Sequence, residues 1–103
     1  MTVKNLTSKN FGEFIKKDSA VIDFSAEWCG PCKLLSPIFE QIANEIKDIK
    51  FGKVNVDNES ELAQKFGIMS VPTLLFFKND KNVDRTVGFL PKNELIKRIQ
   101  ENL

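Results

Sequence analysis

The sequence predicts an α/β fold in which a central mixed β-sheet of about five strands is flanked by about four helices. Residues 2–56 alternate between strand-like segments and amphipathic helical segments. This alternation predicts parallel strands that are joined by right-handed crossovers. Residues 74–87 then contain two strand-like segments separated by a turn, and a last helical segment follows. The second half therefore adds an antiparallel hairpin and a helix.

The first half contains three predicted strands, at residues 2–6, 20–26 and 50–56. A short helix that carries Phe11, Phe14 and Ile15 on one face separates the first two strands. A long helix from about Pro31 to Ile46 precedes the third strand, because its apolar residues recur with helical spacing. We expect a kink at Pro37, which removes one backbone hydrogen bond from this helix.

The second half contains a short helix, a hairpin and a final helix. The short helix includes Leu62 and ends at Gly67. Strands at residues 74–77 and 83–87 are joined by a turn at Asn79-Asp80. The last helix begins near Pro91. Because the chain shows no internal repeat, low-complexity segment or linker, residues 1–103 are predicted to form a single domain.

Composition and charge exclude several classes of function. The formal net charge of +1 gives no support to nucleic-acid binding. The longest apolar run, Leu74 to Phe77, is far too short to cross a membrane. The first residues lack the apolar core of a signal peptide, so a cytoplasmic location is the simplest expectation. A mature form from which a targeting segment had been removed would look the same.

The two cysteines of the chain, Cys29 and Cys32, lie together in the segment Trp-Cys-Gly-Pro-Cys-Lys at residues 28–33. Their spacing permits a disulfide at the start of a helix, where Pro31 suits the first helical position. We expect Cys29 at the exposed helix end and Cys32 one turn inside. The free N–H groups and the helix dipole favour a thiolate there, so Cys29 is the expected nucleophile and Cys32 the second attacker.

The alternative for this pair is half of a zinc site. Structural zinc usually takes four protein ligands, and the chain has two cysteines and no histidine. Zinc would therefore need carboxylates or a second chain, and redox chemistry is favoured.

With these residues in place, the chain resembles the thioredoxin family. The segment from Trp28 to Lys33 matches the active-site motif of the family. Further matches extend over nearly the whole chain, and they comprise Asp23, Phe24, Pro37, Lys53, Asp57, Val71, Pro72, Thr73, Lys78, Asn79 and Gly88. The resemblance implies the thioredoxin fold and an enzyme that reduces protein disulfides through a mixed-disulfide intermediate.

The resemblance also implies partners and cofactors. A reductase, typically an NADPH-dependent flavoprotein, would regenerate the dithiol, and protein disulfides would be the substrates. No bound cofactor or metal is expected beyond the redox-active disulfide between Cys29 and Cys32. The protein is expected to be a monomer that takes part in electron transport and redox homeostasis in the cytoplasm.

Roles for individual residues follow from the same resemblance. Pro72 is expected to be a cis-proline, and the backbone of Val71 is expected to pair with a substrate strand. The apolar docking surface would also include Trp28, Gly30, Pro31 and Gly88. Asp23 matches a buried carboxylate that shuttles a proton to or from Cys32, and Lys53 matches the cation that tunes it.

Simpler interpretations of these residues stay open. Asp23 could be a partly exposed strand residue, or a buried one that is retained only by hydrogen bonding. Lys53 could be a solvated charge, Pro72 a trans-proline and Trp28 a core residue. An oxidant or isomerase on the same fold, or a binding module that does not use the cysteines, remains an alternative function.

Three residues depart from the family pattern. Ser25 replaces an aromatic residue, Asp80 replaces a glycine in the turn, and Phe89 replaces a smaller residue beside the docking surface. None of them removes a chemical group that the mechanism needs, but Phe89 could shift partner preference.

Overall fold

A computed structural model describes residues 2–103, which form one five-stranded sheet and four helices. The strands are β1 (Val3–Asn5), β2 (Ser19–Ser25), β3 (Lys50–Asn55), β4 (Thr73–Lys78) and β5 (Lys81–Val87). The helices are α1 (Phe11–Ile15), α2 (Gly30–Glu45), α3 (Ser60–Lys65) and α4 (Lys92–Asn102). The predicted order of elements is confirmed.

The sheet is mixed, as predicted, and its strand order is β1-β3-β2-β4-β5. The first three strands of this order run parallel, while β4 is antiparallel to both β2 and β5. β2 is therefore central, and its seven residues are almost entirely buried. This explains why its sequence is a nearly continuous apolar run rather than an alternating one.

Helices cover both faces of the sheet. On one face α2 and α4 pack against β2, β3 and β4 through Val21, Leu35, Phe39, Ile42, Phe51, Leu74, Phe76, Leu95 and Ile99. On the other face α1 and α3 pack through Phe11, Ile15, Ile22, Phe24, Val54, Leu62, Leu75 and Phe77. The aromatic residues Phe11, Phe66 and Phe77 contact one another in this second core.

Strand alternation decides which side Asp23 faces. Because successive side chains of a strand point to opposite faces, Asp23 shares the α2 side of β2 with Val21. Lys53 shares the same side of β3 with Phe51, and the two strands pair Asp23 with Lys53 in register. The acid and the lysine are therefore neighbours beneath α2.

The start of α2 differs from the prediction by one residue. Cys29 is the N-cap and Gly30 is the first helical residue, so Pro31 occupies the second position. Its missing N–H is still harmless, since the first four N–H groups of a helix have no intrahelical partner. The helix continues through Pro37 to Glu45. The bend expected at that proline stays a prediction.

The hairpin turn accounts for one departure from the family pattern. Asn79 and Asp80 have φ of +48° and +75°, which is the left-handed region that favours glycine. Asp80 is held there by the hydrogen bond that its N–H donates to the carbonyl of Ile15, at 2.9 Å. Asn and Asp tolerate this conformation better than most residues, so glycine is dispensable here.

A polar cluster fixes α4 to β5. Arg98 donates to the two carboxylate oxygens of Asp84 at 2.8 and 2.7 Å, and the Asn102 amide donates to the same carboxylate at 2.8 Å. The hydrogen bond from Arg98 is the main reason that the pKa of Asp84 lies below its usual range. This acid supports the fold at neutral pH.

Candidate active site

A disulfide between Cys29 and Cys32 stands where β2 passes into α2. Their Cα atoms are 5.2 Å apart. The backbone N–H of Cys32 donates to Cys29 Sγ at 3.2 Å, so the outer sulfur serves as the cap of the helix. One free N–H of the helix end is thus already directed at the sulfur on which a thiolate would form.

The expected exposure of Cys29 is wrong. Both cysteine side chains are only 4% exposed, so burial does not distinguish them. The cysteines pack with Ala26, Val56 and Val71, which come from three different loops. Val56 and Val71 lie far from the cysteines in sequence, so the local helix-start pattern carried no sign of them.

Loops from four strands meet at this edge of the sheet. The cysteines follow β2, and Asp57 follows β3. The Val71-Pro72 segment precedes β4, which runs in the opposite direction, and Gly88 follows β5. The site therefore lies at the carboxyl ends of the parallel strands β2 and β3, where open α/β sheets form their binding sites.

The segment before β4 lies directly against the outer sulfur. Val71-Pro72 is a cis peptide, as predicted, and the carbonyl oxygen of Val71 is 3.6 Å from Cys29 Sγ. Gly88 has φ of +92° and donates its N–H to the carbonyl of Pro72 at 2.8 Å. The structure therefore brings together Cys29, Val71, Pro72 and Gly88, with Gly30 and Pro31 in the adjoining first turn of α2.

Trp28 lies on the surface rather than in the core. Its side chain is 70% exposed, yet its indole Nε1–H donates to Asp57 Oδ2 at 2.9 Å. The hydrogen bond orients the exposed ring beside the disulfide. This function of Asp57 was not predicted, although the residue was among the family matches.

Asp23 is a buried acid without a hydrogen-bond partner. The residue is 1% exposed, and neither carboxylate oxygen has a partner within residues 2–103. Burial raises the pKa of Asp23 to about 7, although the nearby positive charge of Lys53 opposes the rise. The acid therefore titrates close to neutral pH.

Direct pairing of Lys53 with Asp23 is not found. In the part of the chain that the structure describes, the ion pairs within 4.0 Å are those of Lys92 with Glu45 and of Arg98 with Asp84. Lys53 Nζ instead donates to the Ser36 hydroxyl at 3.5 Å. The lysine thus acts on Asp23 through space. Lys53, Ser36 and Cys32 all line an open groove of about 1090 Å³.

The two remaining family departures lie near the site. Ser25 is buried at 4% exposure and lines the same groove, so this position contributes a hydroxyl where an aromatic ring was expected. Phe89 is 42% exposed and follows Gly88 directly, which extends the apolar surface at that side.

Two further properties of residues 2–103 concern metals and membranes. No group of three or more Cys, His, Asp or Glu side chains in that range is placed to hold a metal ion. None of the helices described there combines the length and the apolar character required to cross a bilayer.

Comparisons with known proteins agree with the site. A family model described as Thioredoxin matches residues 2–101. Thioredoxin of Chlamydia caviae is 44% identical over 97% of this chain and 98% of its own, and that of Mycoplasmoides gallisepticum is 52% identical over 73% and 75%. The crystal structure of Malassezia sympodialis thioredoxin superposes with a TM-score of 0.88 at 37% identity, covering 97% of this chain and 90% of that one.

The fold and the Cys29–Cys32 pair define a thiol–disulfide oxidoreductase that acts on protein disulfides. Since the match spans nearly the whole sequence, the assignment does not depend on the short motif alone. The chain belongs to the thioredoxin family.

Proposed function

We propose that the protein is a reductase of protein disulfides in which Cys29 is the nucleophile and Cys32 resolves the mixed disulfide. The observation that carries this assignment is the hydrogen bond from the Cys32 N–H to Cys29 Sγ, which favours the thiolate at Cys29 alone. Equal burial of the two sulfurs gives no such preference. The position of Cys29 at the N-cap also gives its sulfur the larger share of the helix dipole.

The reaction proceeds in two exchanges. The Cys29 thiolate attacks one sulfur of the substrate disulfide, forms a mixed disulfide and releases the first substrate thiolate, which takes a proton from solvent. The Cys32 thiol then loses its proton, and its thiolate attacks Cys29 Sγ. The second substrate sulfur leaves as a thiolate and takes a proton from solvent. The substrate disulfide has then been reduced to two thiols, and the Cys29–Cys32 dithiol has been oxidised to a disulfide.

We assign the proton of Cys32 to Asp23. With a pKa of about 7, this carboxylate is partly ionised at neutral pH and can both accept and return a proton. Lys53 is assigned as the cation that keeps the pKa of Asp23 from rising further. The groove shared by Cys32 and Lys53 provides the contact with bulk water through which the proton leaves.

Substrate binding is assigned to the surface around the outer sulfur. An extended substrate segment would pair with the backbone of Val71 beside Pro72, and this is supported by the 3.6 Å distance from its carbonyl to Cys29 Sγ. Trp28 contributes an oriented exposed ring. Gly30, Pro31 and Gly88 leave room for the substrate backbone to approach, because glycine has no Cβ and the proline ring is compact.

The proposal extends to the cellular setting. An NADPH-dependent flavoprotein reductase would return electrons to the disulfide, and the protein would act as a cytoplasmic monomer without a bound cofactor. Relatedness to bacterial thioredoxins supports this assignment. We also treat residues 1–103 as one domain, since β1 pairs with β3 and α4 packs on the same core as α2.

The assignment of the two cysteines is tested by trapping. A Cys32→Ser variant should accumulate a mixed disulfide with a protein substrate, because no second thiol is left to release it. Cys29→Ser should trap none, and it serves as the matched control. Trapping through Cys32 in the Cys29→Ser variant, or equal trapping by both variants, would reverse or remove the assigned roles.

A further inference from the structure

An apolar hollow of about 370 Å³ lies beside the disulfide, on the side of Trp28. Its lining residues are Trp28, Val56, Ile68, Met69, Ser70 and Val71. Met69 is 94% exposed, which is the highest value among the exposed large apolar side chains of residues 2–103. A large apolar side chain left in water next to a reactive group is a feature of surfaces that bind a partner.

Most of the hollow is held in place before any partner arrives. The indole of Trp28 is oriented by its hydrogen bond to Asp57. The backbone below it is fixed because the Thr73 hydroxyl donates to the carbonyl of Ser70 at 2.7 Å. A surface that is already ordered loses little conformational entropy on binding. Met69 stands at the edge of this ordered surface with its flexible side chain uncovered.

The lining selects against charge. None of its six residues is charged, and Ser70 contributes its only hydroxyl. A charged side chain that entered the hollow would lose water without gaining an ionic partner among the lining residues, whereas an apolar one would bury apolar surface. The occupant that fits is an apolar side chain.

We propose that Met69 determines specificity by covering an apolar substrate side chain that lies within two residues of the attacked cysteine. The proposal rests on the proposed function, since the hollow adjoins the sulfur that the substrate must reach. Val71 belongs both to the hollow and to the backbone that lies 3.6 Å from Cys29 Sγ. A substrate segment bound there therefore places its neighbouring side chains against Met69.

The test uses synthetic peptide disulfides that differ only at the two positions on either side of the cysteine. These positions carry leucine, serine, lysine or glutamate, and kcat/KM is measured for each peptide. Wild-type protein should prefer the leucine peptide to both charged peptides. Met69→Ala should lower kcat/KM for the leucine peptide roughly fivefold, with KM carrying the change, as expected when part of a buried apolar contact is lost.

Two further variants serve as controls. Met69→Leu restores an apolar side chain and should keep most of the preference for leucine. Val83→Ala removes an exposed apolar side chain on β5, away from the hollow, and should behave as wild type. The proposal is overturned if Met69→Ala keeps the wild-type preference, or if the sign of the peptide charge matters more than apolar character.

A separate measurement tests the underlying function. Wild-type protein should reduce hydroxyethyl disulfide, which has no side chain to fill the hollow. Failure of that reaction would count against the proposed reductase. Normal reduction of hydroxyethyl disulfide together with no preference among the peptides would count only against the assignment of Met69.

Discussion

Replacing Asp23 with asparagine should stabilise the protein at alkaline pH. The carboxylate is buried beneath α2, it has no hydrogen-bond partner among the described residues, and no ion pair within 4.0 Å neutralises it. Folding therefore has to bury an unpaired negative charge whenever Asp23 is ionised. The asparagine side chain of the D23N variant is never charged, so this cost disappears.

The size of the effect follows from the two pKa values of Asp23. The unfolded chain loses the proton near the ordinary value of 3.8, whereas the folded protein keeps it up to about 7. Between these values the unfolded state binds fewer protons, so the stability of the wild type falls as pH rises. A difference of one in pKa corresponds to about 1.36 kcal/mol, and the total loss above pH 7 is therefore about 4 kcal/mol.

The assay is urea unfolding of the oxidised proteins, followed by far-UV circular dichroism between pH 4 and pH 9. We expect the two proteins to be closest in stability near pH 4. The advantage of Asp23→Asn should grow through the range between the two pKa values and level off above pH 7. A stability difference that does not change with pH would refute the reasoning, because it would mean that Asp23 has the same pKa in both states.

Lys53 provides an internal check on the same titration. Its positive charge lowers the pKa of Asp23. In Lys53→Gln, the free energy of unfolding should therefore continue to fall to a higher pH than in the wild type before it becomes constant. Lys81→Gln removes an exposed charge on β5 and is the matched control. Equal curves for both variants would mean that Lys53 does not act on Asp23.

The remaining predictions concern the fold. Asp84→Asn should change stability in the opposite direction to Asp23→Asn. Because the hydrogen bond from Arg98 lowers the pKa of Asp84, the free energy of unfolding of the variant should be about 1 kcal/mol below that of the wild type at pH 7. This difference should shrink as pH falls through the lowered pKa. Urea unfolding at several pH values measures this difference in stability. A difference that persisted at low pH would mean that it does not come from the charge of Asp84. Gly52→Ala should destabilise by about 1–3 kcal/mol in thermal or urea unfolding, because its Cβ would lie 2.5 Å from Leu6 Cδ1 in a filled core. Gly12→Ala, with no atom within 4 Å of the added Cβ, is its control, and similar losses in both would argue against crowding.

The elements of the fold were largely predictable because their signals are local. The apolar run at residues 20–26 predicted a buried strand, and the structure has the central β2 there. The helical spacing of Leu35, Phe39 and Ile42 predicted the face of α2 that now packs on the sheet. The differences lay at the ends of elements, where helices and strands are least defined.

The environment of the site was less predictable because it depends on contacts between distant segments. Cys29 and Val71 are separated by 42 residues, yet the carbonyl of one lies beside the sulfur of the other. That contact buries Cys29, which the helix-start pattern alone had placed at the surface. The hydrogen bond of Lys53 with Ser36, rather than an ion pair with Asp23, depends likewise on how α2 lies over β3.

The sequence by itself determined the alternation of strands and helices, the position of the dithiol at a helix start, and the presence of an acid within an apolar strand. These properties follow from neighbouring residues, whose periodicity and capping act over one or two turns. The tertiary structure decided which groups surround the sulfurs, how the pKa of Asp23 is set, and where Met69 is left uncovered. These three properties depend on the strand order β3-β2-β4, because this pairing brings loops that are remote in the chain to one edge of the sheet.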